Sequence, residues 1–188
     1  IRLTGGANTS ACLNNAEQMG EGWSDWFGLM ITMKVGDQAD EGRGMATYSA
    51  GQGLDGNGIR QYKYCRDMTV NPLTYADLPA TGGQVHAVGT IWATMIWDLN
   101  WDLIDEYGYD PDMYNGTGGN NIAMQLIIDG LKLQPCSPGF VDGRDAILEA
   151  DELAYGGANQ CIIWDAFARR GLGFSASQGA TGNVSDGI

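Results

Sequence analysis

Glu21 and Asp25 stand four residues apart in MGEGWSDWFG, Met19 to Gly28, in the company of Trp23, Trp26 and Phe27. On a helix that spacing puts both carboxylates on one face, a turn apart. Three readings fit: a solvated charged edge, a metal ligand with a carboxylate that orients a neighbouring ligand, or an acid/base pair. The aromatics leave little of the helix circumference for water, which weakens the first. A glycosidase dyad fits poorly, because carboxylates one turn apart point the same way instead of flanking a bond.

Two further residues could join them. The single histidine, His86, follows the turn residues TGGQ at the head of the longest apolar-periodic stretch. A lone imidazole cannot make a multi-histidine metal site, but at a helix start it is accessible and suits a switchable donor. Arg60 lies in GNGIRQY, and a loop-borne guanidinium is either solvated or a fork for a substrate carbonyl or carboxylate. DPDMYNG is not an EF-hand, since Tyr114 takes the third ligand position and no glutamate follows at the required spacing. Asp142 and Asp145 in FVDGRDA read as cap and first-turn carboxylates. Trp92, Trp97 and Trp101 follow helical spacing and read as core, with an exposed sugar platform the lesser reading. GxSxG, the P-loop and HExxH do not occur.

The elements that must hold these residues follow from periodicity. Apolar residues recur at three or four positions through Met19–Lys34, Gln84–Tyr107 and Ile122–Leu133, each read as a helix. FVDGRDAILEADELAY, closed by Gly156 and Gly157, and Asn159–Arg169 read as two more. Asp37 to Tyr75 is broken by Gly, Asn and Pro and reads as loops with short extended pieces. Residues 171–188 form a Gly/Ser-rich tail. The expected fold is mainly α, with one long irregular insertion.

Composition narrows the function. With 188 residues, 44% hydrophobic, the chain can bury a real core as one domain or a large part of one. Ten basic against 23 acidic residues, a formal charge of −13, argue against nucleic acid or an anionic membrane surface as partner. No apolar run approaches the ~20 residues that span a bilayer. The chain starts at Ile1 with no targeting signal in its first residues, as expected of a piece of a longer gene product. Cys12, Cys65, Cys136 and Cys161 form no CxxC pair; their spacing suits disulfides and an oxidising compartment, with Cys136 to Cys161 the favoured pairing. Three segments fit the glycosylation pattern, at Asn8, Asn115 and Asn183.

Taken together, GEGWSD, GIRQY, NPLTY, VHAVGTIWATMIWDLNWDLI, YNGTGGN, AMQLIIDGLKLQPC, PGFVDGRDAIL and FARRGLGFSASQG resemble the fungalysin family of secreted zinc metalloendopeptidases, which is related in fold to thermolysin. The resemblance implies that residues 1–188 are the C-terminal helical lobe of the catalytic domain. It makes Glu21 the third zinc ligand, beside two histidines of an HExxH helix, and Asp25 the carboxylate that accepts from one of those histidines. His86 matches the histidine that hydrogen-bonds the oxyanion, and Arg60 the arginine that holds the substrate carbonyl. The family pattern places HExxH just upstream of RLTGG, before Ile1, so these residues alone are expected to be inactive. The implied partners are a protein or peptide substrate and the N-terminal lobe that carries HExxH; the implied location is extracellular. Apolar surface that the HExxH helix covers is expected to be open, or covered by that lobe or a second copy. Calcium on the acidic surface is an option that no motif specifies. The alternative is a non-catalytic binding or structural module on the same scaffold.

Overall fold

The computed structural model describes residues 3–4 and 12–187. Among the described residues five helices carry the fold: α1 (Gly20–Met30), α2 (Val85–Tyr107), α3 (Gly119–Leu133), α4 (Phe140–Tyr155) and α5 (Gln160–Arg169). Two 3-10 turns, Tyr75–Asp77 and Pro79–Thr81, lead into α2. Between α1 and those turns the chain runs as loops, with isolated bridges at Arg43–Tyr64 and Met45–Gly58. The mainly helical class and the irregular insertion are as the sequence predicts. The glycosylation pattern at Asn8 lies outside the described residues.

Local chemistry sets the helix ends. The Gln84 side chain accepts from Ala87 N at 2.7 Å to open α2, and Gly108 at φ 77° closes it. Asp142 reaches back to Gly139 N at 3.0 Å at the start of α4, the capping role its position predicts, whereas Asp145 pairs with Arg144 at 2.7 Å. Helix α1 stops at Met30, four residues short of the predicted Lys34. The Thr32 hydroxyl donates back to Gly28 O at 2.7 Å and Arg43 Nη1 donates to Leu29 O at 3.0 Å, so the last carbonyls are satisfied without another helical turn.

Helix α2 is the centre of the packing, with every residue from Val88 to Trp101 buried. Helices α1, α3 and α5 pack against it, and α4 packs on α3 and α5. Trp92 sits at the middle, its ring 5.0 Å from Trp23, 5.2 Å from Phe140 and 5.7 Å from Phe167. The edge contacts with Trp23 and Phe140 add about 0.5–1.5 kcal/mol each to the burial of the rings. Trp97 and Trp101 meet edge to face at 5.8 Å, so all three tryptophans belong to the core.

Buried polar groups tie the irregular segment to this core. Arg170 and Asp98 are both fully buried, and Arg170 Nε donates to Asp98 Oδ2 at 2.8 Å. The same guanidinium donates to the carbonyls of Cys65, Asn71 and Leu73, while Tyr75 N donates to Arg170 O at 2.7 Å. The disulfide joins Cys12 to Cys136 and not Cys136 to Cys161. The turn between α3 and α4 lies against the segment entering α1, where Ser137 N donates to Cys12 O at 2.7 Å; the first turn of α5 presents Cys161 to solvent. Cys65 is a buried free thiol.

The tail docks on the same entry segment. Ala16 N donates to Thr181 O at 3.0 Å, Gln178 Nε2 to Asp142 Oδ2 at 2.6 Å, and the Tyr75 hydroxyl to Asp186. Glu17 is fully buried beneath it, accepting from Phe140 N at 3.3 Å. Burial, with Asp186 beside it, pushes the Glu17 carboxyl from its ordinary 4.5 up to about 8. A carboxyl raised on folding binds its proton more tightly in the native state, so its contribution is fully present below pH 4.5 and lost as pH rises to about 8. Glu17→Gln keeps the acceptor for Phe140 N and removes the titration. Urea unfolding at pH 5 and pH 9 should show the wild type losing stability relative to this variant; parallel pH profiles would count against a protonated Glu17.

Candidate active site

Helices α1 and α2 cross at two glycines. A Cβ on Gly22 would stand 2.2 Å from Gly89 O, and one on Gly89 would stand 2.5 Å from Gly22 N, so the backbones touch with no room for a side chain. Glu21 precedes the first glycine, and His86 lies one turn before the second. The crossing brings them together: His86 Nδ1 is 3.0 Å from Glu21 Oε2. An ionised carboxylate only accepts, so Nδ1 carries the proton in this contact and Nε2 donates only when the ring is doubly protonated.

The second carboxylate faces the other way in function, though it shares the helix face. The Glu21 side chain is 41% exposed and that of Asp25 is 6% exposed. Arg60 grips Asp25 with a two-pronged fork, Nε to Oδ2 at 2.6 Å and Nη2 to Oδ1 at 2.9 Å, and Nη2 also reaches Glu21 Oε2 at 3.4 Å. The hydrogen bonds to Asp25 push the Arg60 guanidinium further above its usual range, against the cost of burial. The Tyr64 hydroxyl donates to Asp25 Oδ2, and burial with the adjacent carboxylate holds that phenol well above its usual range. Gly58, at φ 75°, delivers the loop that bears Arg60: a Cβ there would lie 1.8 Å from Met45 O, and Ile59 N donates to the same carbonyl at 2.9 Å.

Arg60 and His86 stand on the wall of one cavity of about 630 Å³. Leu73, Ala80, Ala87 and Ile91 give it an apolar lining, with Gln61 and Gln84 as polar groups. Asp77 also lines it, with Oδ2 accepting from Thr74 N at 2.8 Å and Thr74 Oγ1 at 3.0 Å. The tryptophans beside Glu21 turn inward to the core, and Ile59 is an exposed large apolar residue of this wall.

The four residues singled out from sequence thus form one contiguous cluster. Tyr64 was missed; nothing in RQYKYCR distinguishes it from Tyr62, which lines the cavity instead. Asp110 and Asp112 in DPDMYNG accept backbone N–H groups of their own turn at 2.9–3.2 Å.

The sequence matches the fungalysin metallopeptidase family over residues 1–176. The chain belongs to that family. It is 46% identical, over 97% of its length, to the extracellular metalloproteinase MEP of Neosartorya fischeri, and 44% identical over the same share to the extracellular metalloproteinase mep of Aspergillus fumigatus. The extracellular metalloproteinase 10 of Uncinocarpus reesii is 46% identical over 93% of the chain. The chain spans about 30% of the length of these fungalysin relatives.

A metallopeptidase needs more donors than this fungalysin chain offers in one place. Among the described residues no group of three or more His, Cys, Asp and Glu is set to hold a metal ion. The donor that fits is Glu21: Oε2 is engaged by Arg60 and His86, while Oε1 has no partner among the described residues. Because the glycine crossing sets where that carboxylate stands, Gly22→Ala should destabilise the chain by about 1–3 kcal/mol, as overpacking does. Gly28→Ala, whose Cβ would meet only the Met45 side chain at 3.6 Å, should be neutral or better. Denaturant midpoints check both; equal stability of the two variants would contradict the close crossing.

Proposed function

We propose that this chain is the helical lobe of a secreted zinc endopeptidase and that the cluster of Glu21, Arg60 and His86 at one cavity is its half of the active site. The observation that carries the reading is the convergence itself. A guanidinium from a loop and an imidazole from α2 line one pocket, and a half-exposed carboxylate from α1 touches both of them. Family membership gives the convergence its chemical sense, and the extracellular relatives and the disulfide fit secretion.

In this reading Glu21 offers Oε1 as the third zinc ligand, the other two being the histidines of an HExxH helix in the N-terminal lobe. Zinc, when bound, lowers the pKa of a coordinated water and polarises the scissile carbonyl. The chain's own residues do the rest. Arg60 aligns a substrate carbonyl over the cavity, whose apolar wall receives the neighbouring side chain. His86, once its ring is doubly protonated, donates from Nε2 to the oxyanion. Asp25 has two duties, orienting Arg60 and accepting from a zinc-binding histidine; the Arg60 fork and Tyr64 take three of its roughly four lone-pair positions, which leaves room for one more donor. The general base belongs to the HExxH segment.

The intact protein provides the test. Glu21→Ala should abolish bound zinc, read by elemental analysis, together with peptide hydrolysis. His86→Ala should keep the zinc and slow turnover by roughly two to three orders of magnitude, the usual scale for an oxyanion donor. Full activity in the Glu21 variant would end the assignment.

A further inference from the structure

We propose that Tyr64 is the positioning residue that aims Arg60 at the substrate. The inference rests on the reading of Arg60 as the substrate fork. A guanidinium has five N–H donors. In Arg60, Nε is used by Asp25, and Nη2 is used by Asp25 and Glu21. The two N–H groups of Nη1 have no partner among the described residues, and Arg60 lines the cavity. Whatever fixes the plane of the guanidinium therefore fixes where Nη1 points.

That plane is set by the carboxylate of Asp25, and a carboxylate torsion is broad on its own. The fork could swing as a unit with the group it grips. The Tyr64 hydroxyl, donating to Oδ2, removes that freedom with a charge-assisted bond. Tyr64 is itself immobilised. Its side chain is fully buried, and its backbone exchanges two bonds of 2.9 Å with Arg43. Arg43 is in turn anchored on Leu29 O at 3.0 Å and Thr32 Oγ1 at 2.7 Å, at the end of the helix that bears Asp25. The hydroxyl of Tyr64 thus references Asp25 on α1 to a loop that is itself fastened to the end of α1. Tyr64 is absent from the cavity wall, so it acts through Arg60 and not on substrate.

The test is Tyr64→Phe in the intact protein, alongside Arg60→Ala. The ring keeps its packing and only the donor is lost. We expect KM for a peptide substrate to rise about five- to tenfold, the scale of one ordinary hydrogen bond, with kcat within about twofold of wild type. Calorimetry of a non-hydrolysed peptide with the metal-stripped protein should show the same weakening, independent of turnover. A rise in KM for Arg60→Ala with none for Tyr64→Phe overturns the role of Tyr64 and leaves the reading of Arg60 standing. No rise in either variant overturns both. Losses in kcat and in binding that merely track the folded fraction, measured by circular dichroism, also overturn the positioning role.

Discussion

The site depends on one steric fact, the contact between the backbones of α1 and α2 at Gly22 and Gly89. Glycine in a helix interior is unfavourable by about 0.8–1 kcal/mol relative to alanine, so each of these residues weakens its own helix. The close approach offsets that by burying both backbones and bringing Trp23 edge to face against Trp92. It also decides geometry that no side-chain flexibility could recover. With a methyl on either glycine the helices would separate, and Glu21 would lose His86. The polar side of the crossing and its aromatic side are two outcomes of the same contact.

The second requirement is that a loop without ladder hydrogen bonds be held still. Residues between α1 and the 3-10 turns have only isolated bridges, so their buried carbonyls need other donors. Arginines supply them. Arg170, paired with the buried Asp98, takes carbonyls of Cys65, Asn71 and Leu73; Arg43 exchanges backbone bonds with Tyr64 and caps the end of α1. Arg60 lies between these anchors and turns its fork on α1. Buried ion pairs contribute little net stability because desolvation opposes attraction, yet removing one partner is costly, so they specify position strongly. That suits a long irregular segment that holds the Arg60 guanidinium against α1.

What the sequence showed and what it hid divide along the same line. The five helices, their caps at Asp142 and Gly156, and the core tryptophans follow from periods of three and four residues, a local signal. Glu21, Asp25, Arg60 and His86 stood out by residue type in unusual company. The Asp25–Arg60 fork, Tyr64 and the Cys12–Cys136 disulfide join positions 35, 39 and 124 residues apart, which local spacing does not encode. Gly22 and Gly89 are two among 29 glycines, and only the crossing distinguishes them. The early end of α1 likewise came from Arg43, a residue of the distant loop, reaching its carbonyls.

The two carboxylates that share a helix face end with opposite electrostatic roles. Asp25 is neutralised within the protein by Arg60 and a phenol, so its charge is spent on internal order. Glu21 stays half open with one oxygen uncommitted, and its contact with Arg60 is the longer one. Glu21, Asp25 and Arg60 together carry one net negative charge, next to the Arg60 and His86 side of the cavity wall. On a chain of net charge −13 the surrounding field favours a cation over an anion there.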